Sequence, residues 1–358
     1  MPLQRKELSF ENEKIYAGFD VHAKSWKVTI LTGHLLHKTF VMPPSPEKLY
    51  EYLTRNFPGA IYYSAYEAGF CGMWIHRKLS ALGVNSMVVN PADIPTTQKE
   101  IAQKEDLRDS LKIAKHLRNG SLTGIYIPQE STLSERTMVR MRSQMVKDLN
   151  RCRCRVKSWL YFQGIDYPPQ FSKAKSHWSR ACIAWLEKIS LPDKTARNTL
   201  NLLLSEVKEL RKLLLEVNLH IRHLSKSKKY EEQFRILTSI PGIGITTAMN
   251  ILTEVEDINR FRNFDSFCSY AGLIPSTGSS GEKEIVRGIT CRGHRLRAFI
   301  VESAWIAARL DTALSKSYSQ YCRRMEPNKA IIRIARKLLS RIYSMLKNKQ
   351  VYETGKIV

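Results

Sequence analysis

The sequence predicts an α/β N-terminal domain with a mixed sheet, followed by a mainly helical remainder. Strand-like apolar runs alternate with helical segments between residues 14 and 90, and this alternation is typical of an α/β layer structure. From residue 200 onward, apolar residues instead recur at helical spacing. The change of period therefore predicts a change of architecture along the chain.

The predicted N-terminal elements begin with an apolar run, Ile15 to Asp20, which ends on a carboxylate. A second run, Val28 to Leu31, is followed by a Thr-Gly turn, so the pair is typical of a hairpin. A further strand completes residues 14–42, and a Ser45 cap predicts a short helix. The remaining predictions are a strand ending at Glu67, a helix from Trp74 to Leu82 and a strand from Val84 to Val89.

Four acidic residues occupy positions suited to metal binding or catalysis. Asp20 and Glu67 each end a predicted strand, where a carboxylate needs a hydrogen bond, a cation or a metal to offset desolvation. The alternative for Asp20 is an ordinary turn-starting aspartate. Asp106 and Asp109 share one face of a predicted helix, where two like charges repel unless a cation lies between them. A solvated helix face is the alternative there.

The charge distribution favours a polyanionic partner. The chain has 57 Lys and Arg against 33 Asp and Glu, a net charge of +24. Residues 136–160 hold eight basic residues and one acid, and residues 287–349 hold fifteen and three. Such stripes are typical of nucleic-acid-binding surfaces. A solvated surface or an acidic membrane is the alternative explanation.

The bulk composition predicts a cytoplasmic protein without a membrane partner. The 358 residues contain no apolar run of about 18 residues, and the first residues have no apolar signal core. The seven cysteines are scattered, which favours reduced thiols over a disulfide framework.

A regular apolar repeat follows residue 200. Alternating steps of three and four predict a coiled-coil seam, which favours self-association. The alternative is an antiparallel helix pair within one chain, with the 136–160 helix as the partner. The seam positions are Leu200, Leu203, Val207, Leu210, Leu214, Val217, Ile221 and Leu224.

Two glycine-containing segments follow the repeat. Pro241-Gly242-Ile243-Gly244 is similar to the turn of a helix-hairpin-helix unit, whose following helix start can bind a phosphate; an ordinary turn is the alternative. The polar segment 273–283 contains Ser280 and precedes several arginines. A serine there could attack a phosphodiester, although its composition favours a flexible surface loop.

In order and context, these motifs resemble the DEDD transposases of bacterial insertion sequences, the site-specific recombinases guided by a bridge RNA. Asp20, Glu67, Asp106 and Asp109 match the four acidic positions of that family. The C-terminal half matches through Pro241-Gly-Ile-Gly, Tyr270-Ala-Gly-Leu-Ile-Pro-Ser, Ser280-Gly281 and Leu296-Arg297. The resemblance spans residue 14 to about residue 310.

The resemblance implies three domains. Residues 1–128 would form an RNase H-like (RuvC-like) DEDD domain with a mixed sheet. Residues 129–235 would form a basic helical and coiled-coil region. Residues 236–358 would form a mainly α C-terminal transposase domain with the Pro-Gly-Ile-Gly hairpin and the serine loop.

The resemblance also implies a mechanism. Asp20, Glu67, Asp106 and Asp109 would hold Mg²⁺, for which carboxylate oxygens are suitable ligands. Ser280 would attack the phosphate, with Ser279 and then Ser276 as the other choices. We expect donor and target DNA, a structured guide RNA, a homodimer or homotetramer, and location at the bacterial nucleoid. The predicted nucleic-acid-binding residues are Lys283, Arg287, Arg292, Arg295, Arg297, Arg140 and Arg151.

One segment departs from the family pattern, and two other functions remain open. Cys291 stands at a usually basic position and His294 replaces an asparagine, which affects the expected DNA contacts there. The first alternative function is a RuvC-like structure-specific endonuclease that uses the carboxylates and water only. The second is a non-catalytic nucleic-acid-binding protein whose acids pair with its arginines.

Overall fold

A computed structural model describes residues 9–33, 35–95, 106–173, 176–280, 283–290 and 294–353. The chain divides into two compact units, Met1–Ile127 and Pro128–Val358. Each unit has its own hydrophobic core. The three domains predicted from the sequence stay a prediction.

A mixed sheet forms the centre of the first unit. Its five strands have the order β3-β2-β1-β4-β5. The first three pair antiparallel, whereas β1 pairs parallel to β4 and β4 parallel to β5. The strands are β1 (Lys14–Val21), β2 (Trp26–Leu31), β3 (Leu36–Met42), β4 (Ile61–Glu67) and β5 (Asn85–Val89).

Helices pack against both faces of this sheet. They are α1 (Pro46–Asn56), α2 (Trp74–Ala81) and α3 (Asp106–Arg118). Strand residues alternate between the faces, so Phe19 and Tyr66 join Leu49 and Leu79 of α1 and α2 in one cluster. Strand residues of the other parity, such as Tyr16 and Ala65, face α3 instead. The result is an α/β/α arrangement that positions β1 and β4 between two layers of helices.

The second unit is mainly helical. A two-stranded antiparallel hairpin interrupts the helices. Its elements are α4 (Glu130–Phe162), α5 (Arg180–Lys188), α6 (Lys194–Ser225), α7 (Glu231–Thr238), α8 (Ile245–Val255), α9 (Phe264–Ala271), β6 (Pro275–Ser280), β7 (Lys283–Ile289), α10 (His294–Leu310), α11 (Thr312–Cys322) and α12 (Pro327–Asn348).

The predicted seam on α6 packs against α4 of the same chain. Leu149 and Val156 near the end of α4 share a cluster with Leu200 and Val207 near the start of α6. Val139, early in α4, belongs to the same cluster as residues late in α6. The two helices are therefore antiparallel. The favoured interpretation, a coiled coil between subunits, is not confirmed, because the apolar stripe already has an intramolecular partner.

The remaining helices form the main core of the second unit. Helix α12 buries its apolar face against α7, α9, α10 and α11, and α8, which is buried from Ala248 to Val255, packs against α4 and α10. None of the helices in the described ranges combines the length and apolar character needed to cross a membrane. The predicted fold class is confirmed, with a mixed-sheet N-terminal domain consistent with an RNase H-like fold and a mostly helical remainder.

Candidate catalytic edge and serine hairpin

Gly18 in β1 lets helix α3 approach the sheet closely. A Cβ atom at this position would lie 2.2 Å from the Ala114 nitrogen and 2.6 Å from the Ser110 carbonyl oxygen. Both are backbone atoms, so a side-chain rotation cannot relieve the clash. Glycine is therefore required where the backbone of α3 crosses the central strand.

A row of hydroxyl groups sets the position of α3 along the sheet. Thr29 pairs with Gly18 on one side and Thr39 on the other. The Thr29 hydroxyl lies 2.9 Å from the Thr39 hydroxyl and 2.9 Å from the Ser110 hydroxyl. Thr29 and Ser110 are fully buried, so each hydroxyl needs this partner. The hydroxyl contact therefore fixes Ser110 of α3 over Thr29, which is the residue paired with Gly18 in the sheet.

Asp20 and Glu67 lie on the α3 face of the sheet. Phe19 and Tyr66 form the last pair of the parallel β1–β4 register, and both side chains enter the core on the other face of the sheet, against α1 and α2. The next residue on each strand turns toward α3, because side chains alternate along a strand. The two carboxylates therefore extend from neighbouring parallel strands at their carboxyl ends.

Helix α3 brings the other two acids to the same edge. Asp109 directly precedes Ser110, whose carbonyl oxygen lies against Gly18 and whose hydroxyl contacts that of Thr29. Asp106 begins the helix, about one turn before Ser110. The apolar residues later in α3 pack in a cluster with Tyr16 and Tyr63, which precede Gly18 and Ala65 on their strands. Helix α3 thus runs antiparallel to β1, with its start toward the strand ends.

We call Asp20, Glu67, Asp106 and Asp109 the carboxylate edge. The side chain of Asp106 lies outside the described part of the structure. Among the side chains that are described, no three His, Cys, Asp or Glu residues lie close enough together to hold a metal ion. The donor chemistry of the edge nevertheless fits a hard divalent cation, because all four residues offer carboxylate oxygens.

His22 is a neighbour of the carboxylate edge that the sequence interpretation missed. Its Nε2 atom lies 3.0 Å from Oδ2 of Asp20, and the two side chains are 49% and 24% exposed. Asp20 therefore already has a partner that is open to solvent. The i, i+2 spacing at a strand end could have revealed it, because such residues share a face.

The proposed nucleophile lies on a hairpin rather than in a flexible loop. Strand β6 ends at Ser280, and Ser279 and Ser280 pair with Glu284 and Lys283 of β7. The interpretation of residues 273–283 as a flexible loop was therefore wrong for the described part. Its small polar residues concealed a strand, because they have little β propensity of their own and depend on pairing. We call β6 and β7 the serine hairpin.

Arg297 contacts the base of the serine hairpin. Its Nη1 group donates to the carbonyl oxygen of Gly272 at 3.1 Å and to that of Thr290. Gly272 precedes β6, and Thr290 follows β7. One guanidinium therefore joins the two chain segments that enter and leave the hairpin.

The other basic residues predicted to bind nucleic acid differ in their contacts. Arg140 forms two hydrogen bonds, 2.6 and 2.7 Å long, with the Glu254 carboxylate, which is only 7% exposed. Arg151 is 70% exposed and pairs with Asp148. Lys283 and Arg287 lie on β7, Arg295 is on α10, and Arg292 lies outside the described residues.

The Pro-Gly-Ile-Gly turn joins α7 to α8, and its first glycine has a packing role. Gly242 has a φ of +90°, and a Cβ there would lie 2.4 Å from the Ser303 carbonyl oxygen of α10. A Cβ at Gly244, in contrast, would meet nothing within 4 Å. Gly244 is the N-cap residue of α8 and makes no side-chain cap, so the first N–H groups of that helix have no side-chain acceptor at this position.

Comparison with known protein families accounts for both regions. Residues 17–163 match a family model for a DEDD transposase of the IS110 type, and residues 234–320 match the transposase IS116/IS110/IS902 family. The first match contains the carboxylate edge, and the second contains the serine hairpin. The chain belongs to the DEDD-type insertion-sequence transposases. The resemblance inferred from the motifs is confirmed.

Individual relatives agree with this assignment. The chain is 26% identical to the transposase for insertion sequence element IS1533 of Leptospira borgpetersenii, over 82% of this chain and 85% of that protein. It is 22% identical to the transposase of IS1111A from Coxiella burnetii, over 78% and 76%. Protein y4qE of Sinorhizobium fredii, described as a transposase, is 29% identical over 68% of this chain but only 58% of its own length.

These relatives indicate a DNA-processing enzyme with a DNA substrate, and the DEDD domain indicates use of a divalent metal.

Proposed function

We propose that the chain is the transposase of an insertion sequence and acts as a site-specific DNA recombinase. The register that brings Asp20 and Glu67 to neighbouring strand ends, where α3 begins with two further acids, supports this most directly. An edge with four carboxylates is suited to hold a divalent cation, and such a cation can neutralise the charge of a phosphodiester.

The carboxylate edge would hold Mg²⁺. Asp20, Glu67, Asp106 and Asp109 are the ligands in this proposal, and Asp20 would exchange its contact with His22 for the cation. When bound, the metal supplies positive charge to the phosphate and to the oxygens that attack and leave. The acids of the edge thus fix where a phosphate is bound.

Ser280 is the proposed nucleophile. Its hydroxyl oxygen would form a bond to phosphorus while the bond from phosphorus to one strand oxygen breaks. The serine proton leaves to the released strand, which becomes a free hydroxyl end. Because one phosphoester replaces another, the bond energy is retained for rejoining by a DNA hydroxyl.

Basic residues around these regions would bind the nucleic acids. Lys283, Arg287, Arg292, Arg295 and Arg151 are the proposed contacts, because the stretches that contain them are strongly basic. Arg140 and Arg297 were predicted to share this role, but their intramolecular contacts favour support of the fold. The first turn of α8 offers an additional site for a phosphate.

The partners are part of the same proposal. The enzyme would act on donor and target DNA and be guided by a structured RNA at the bacterial nucleoid. Exposed leucines on α6 support a homodimer or homotetramer, since Leu202, Leu215 and Leu219 are 73%, 67% and 56% exposed. Leu215 and Leu219 are one turn apart on the same face of the helix, and neighbouring exposed leucines of this kind are typical of an association surface.

A strand-cleavage assay tests the proposal. Wild-type protein, Asp20→Ala, Ser280→Ala and Ser279→Ala would be incubated with Mg²⁺, element-end DNA and RNA transcribed from its flank. Glu51→Ala, an exposed acid on α1, is the matched control. We expect a covalent protein–DNA band in wild type, Glu51→Ala and Ser279→Ala only. Cleavage without a covalent band, unaffected by Ser280→Ala, would instead identify a RuvC-like endonuclease that uses water. Binding without Mg²⁺-dependent cleavage would identify a non-catalytic binding protein.

A further inference from the structure

The base of the serine hairpin is built from two chain segments that meet side by side. Gly272 ends α9 in a left-handed conformation, with a φ of 71°, and the chain then enters β6. After β7, the Thr290 N–H donates to the Ile274 carbonyl oxygen at 3.2 Å. Pro275 and Ile289 form the first pair of the hairpin.

The hairpin strands bring little rigidity of their own. The β6–β7 register shifts between Pro275 and Thr277, and Gly288 has a φ of +109°. A two-stranded hairpin is also marginally stable in isolation. The orientation of Ser280 therefore depends on how firmly the two ends are held.

Arg297 holds both ends at once. It lies on α10 beside Leu296, which is buried in the core of the unit, so its own backbone is firmly placed. Its guanidinium bonds the carbonyl oxygens of Gly272 and Thr290. Both bonds come from the Nη1 group, whose two hydrogens are fixed in the guanidinium plane, whereas a lysine ammonium rotates on a flexible stem. A guanidinium used in this way is also a poor candidate for a phosphate contact.

We propose that Arg297 is a positioning residue that fixes the base of the serine hairpin and so orients the nucleophile, rather than a residue that binds DNA. The part that concerns the nucleophile rests on the serine mechanism proposed above. The anchoring of the hairpin does not depend on that mechanism, so the two can fail separately.

The test compares two arginines on the same helix. Arg297→Gln removes the proposed anchor, and Arg295→Gln, two residues earlier on α10, is the matched control. Arg297→Lys retains the charge but not the geometry. Three quantities are measured on the full-length chain: hydrogen exchange of peptides covering 272–290, the salt dependence of DNA binding, and the rate of covalent complex formation at saturating DNA.

For Arg297→Gln we expect exchange in 272–290 to rise about tenfold, as loss of a charged hydrogen-bond donor implies, with exchange in α12 unchanged. The rate of covalent complex formation should fall about 100-fold, since misplacing a reacting group has effects of that size. The slope of the logarithm of the DNA-binding constant against the logarithm of the salt concentration should stay the same. Arg297→Lys should restore neither the exchange nor the rate fully.

Arg295→Gln should show the reverse pattern, with normal exchange and a slope reduced by about 0.9. Unchanged exchange at 272–290 in Arg297→Gln would overturn the anchoring role. A reduced salt slope with a normal covalent rate would show that Arg297 binds DNA instead. If exchange rises in Arg297→Gln but wild type forms no covalent complex, the serine mechanism fails, and only the part of the proposal concerning the nucleophile fails with it.

Discussion

The carboxylate edge and the serine hairpin are supported in different ways. Asp20 and Glu67 extend from the central strands of a sheet with helices on both faces, and the start of α3 is fixed by Gly18 and the buried Ser110 hydroxyl. Ser280 lies on a two-stranded hairpin attached through its base. Substitutions in the first region should therefore act through folding, and those in the second through orientation of one segment.

The largest effect should come from Gly18→Ala. The added Cβ would lie 2.2 Å from a backbone nitrogen of α3, so the helix must move away from the sheet. We expect a loss of about 3 kcal/mol in the free energy of unfolding, as for severe overpacking, and loss of cleavage. Chemical denaturation measures the first quantity. Gly33→Ala, where a Cβ meets nothing within 4 Å, should have little effect; equal stability of the two variants would contradict the close approach of α3.

A loss of similar size, confined to the second unit, should follow Asp311→Asn. Asp311 is fully buried, caps α11 through the Leu314 N–H and contacts Arg341 and Tyr352. The substitution leaves a buried arginine without its anion, which costs about 3 kcal/mol in comparable cases. Hydrogen exchange should increase in α11 and α12 and not in the strands of the first unit. Increased exchange in both units would remove the distinction between them.

The same carboxylate gives a pH dependence. Burial raises the pKa of Asp311, but the Tyr352 hydroxyl, the Leu314 N–H and Arg341 together hold that pKa below its ordinary value. A lowered pKa adds stability above the unfolded pKa that is lost as the pH falls through the folded pKa. Stability of the second unit should thus decline on acidification below about pH 4, and less so in Asp311→Asn. Parallel declines for both proteins would assign the acid sensitivity to other groups.

Smaller losses of stability are expected from changes at two basic residues, Arg140 and Arg151. Arg140→Ala breaks the pair with the buried Glu254, and because Arg140 is 44% exposed, solvent screening limits the loss to about 1–2 kcal/mol. Arg151→Ala, at a mostly exposed position, should change stability by less than about 0.5 kcal/mol but lower the salt dependence of DNA binding. Thermal unfolding and binding titrations would separate the two. A lowered salt slope in Arg140→Ala with normal stability would return that residue to the nucleic-acid surface.

Of the two changes beneath α3, Ser110→Ala should have the smaller effect. This change leaves the Thr29 hydroxyl with its Thr39 partner, so the unfolding free energy should fall by only about 1 kcal/mol. Cleavage at saturating Mg²⁺ should remain measurable, whereas Gly18→Ala should abolish it. A complete loss of cleavage in a folded Ser110→Ala protein would show that the hydroxyl row controls the carboxylate edge more strongly than the close packing does.

Much of the first unit could be predicted from the sequence because its signals are local. The apolar runs and the Ser45 cap gave the strands and α1 correctly, and the strand ends placed Asp20 and Glu67. The sequence could not show that Gly18 lies under α3, since that contact joins residues about 90 positions apart.

The second unit was harder to predict. The apolar repeat on α6 is the same whether the partner helix belongs to another subunit or to the same chain, and only the contacts with α4 distinguish these cases. The serine hairpin was missed because its residues resemble a loop. The role of Arg297 was concealed because its acceptors are backbone carbonyls, which carry no sequence signal.

In the proposed mechanism, two separately supported regions, the carboxylate edge and the serine hairpin, take part in one reaction. The most direct measurement is mass spectrometry of the peptide that remains attached to DNA after Mg²⁺-dependent cleavage, in wild type and in Asp20→Asn. We expect attachment at Ser280 in wild type and no attached peptide in Asp20→Asn, although that variant still binds DNA. Attachment at another residue, or undiminished attachment in Asp20→Asn, would contradict it.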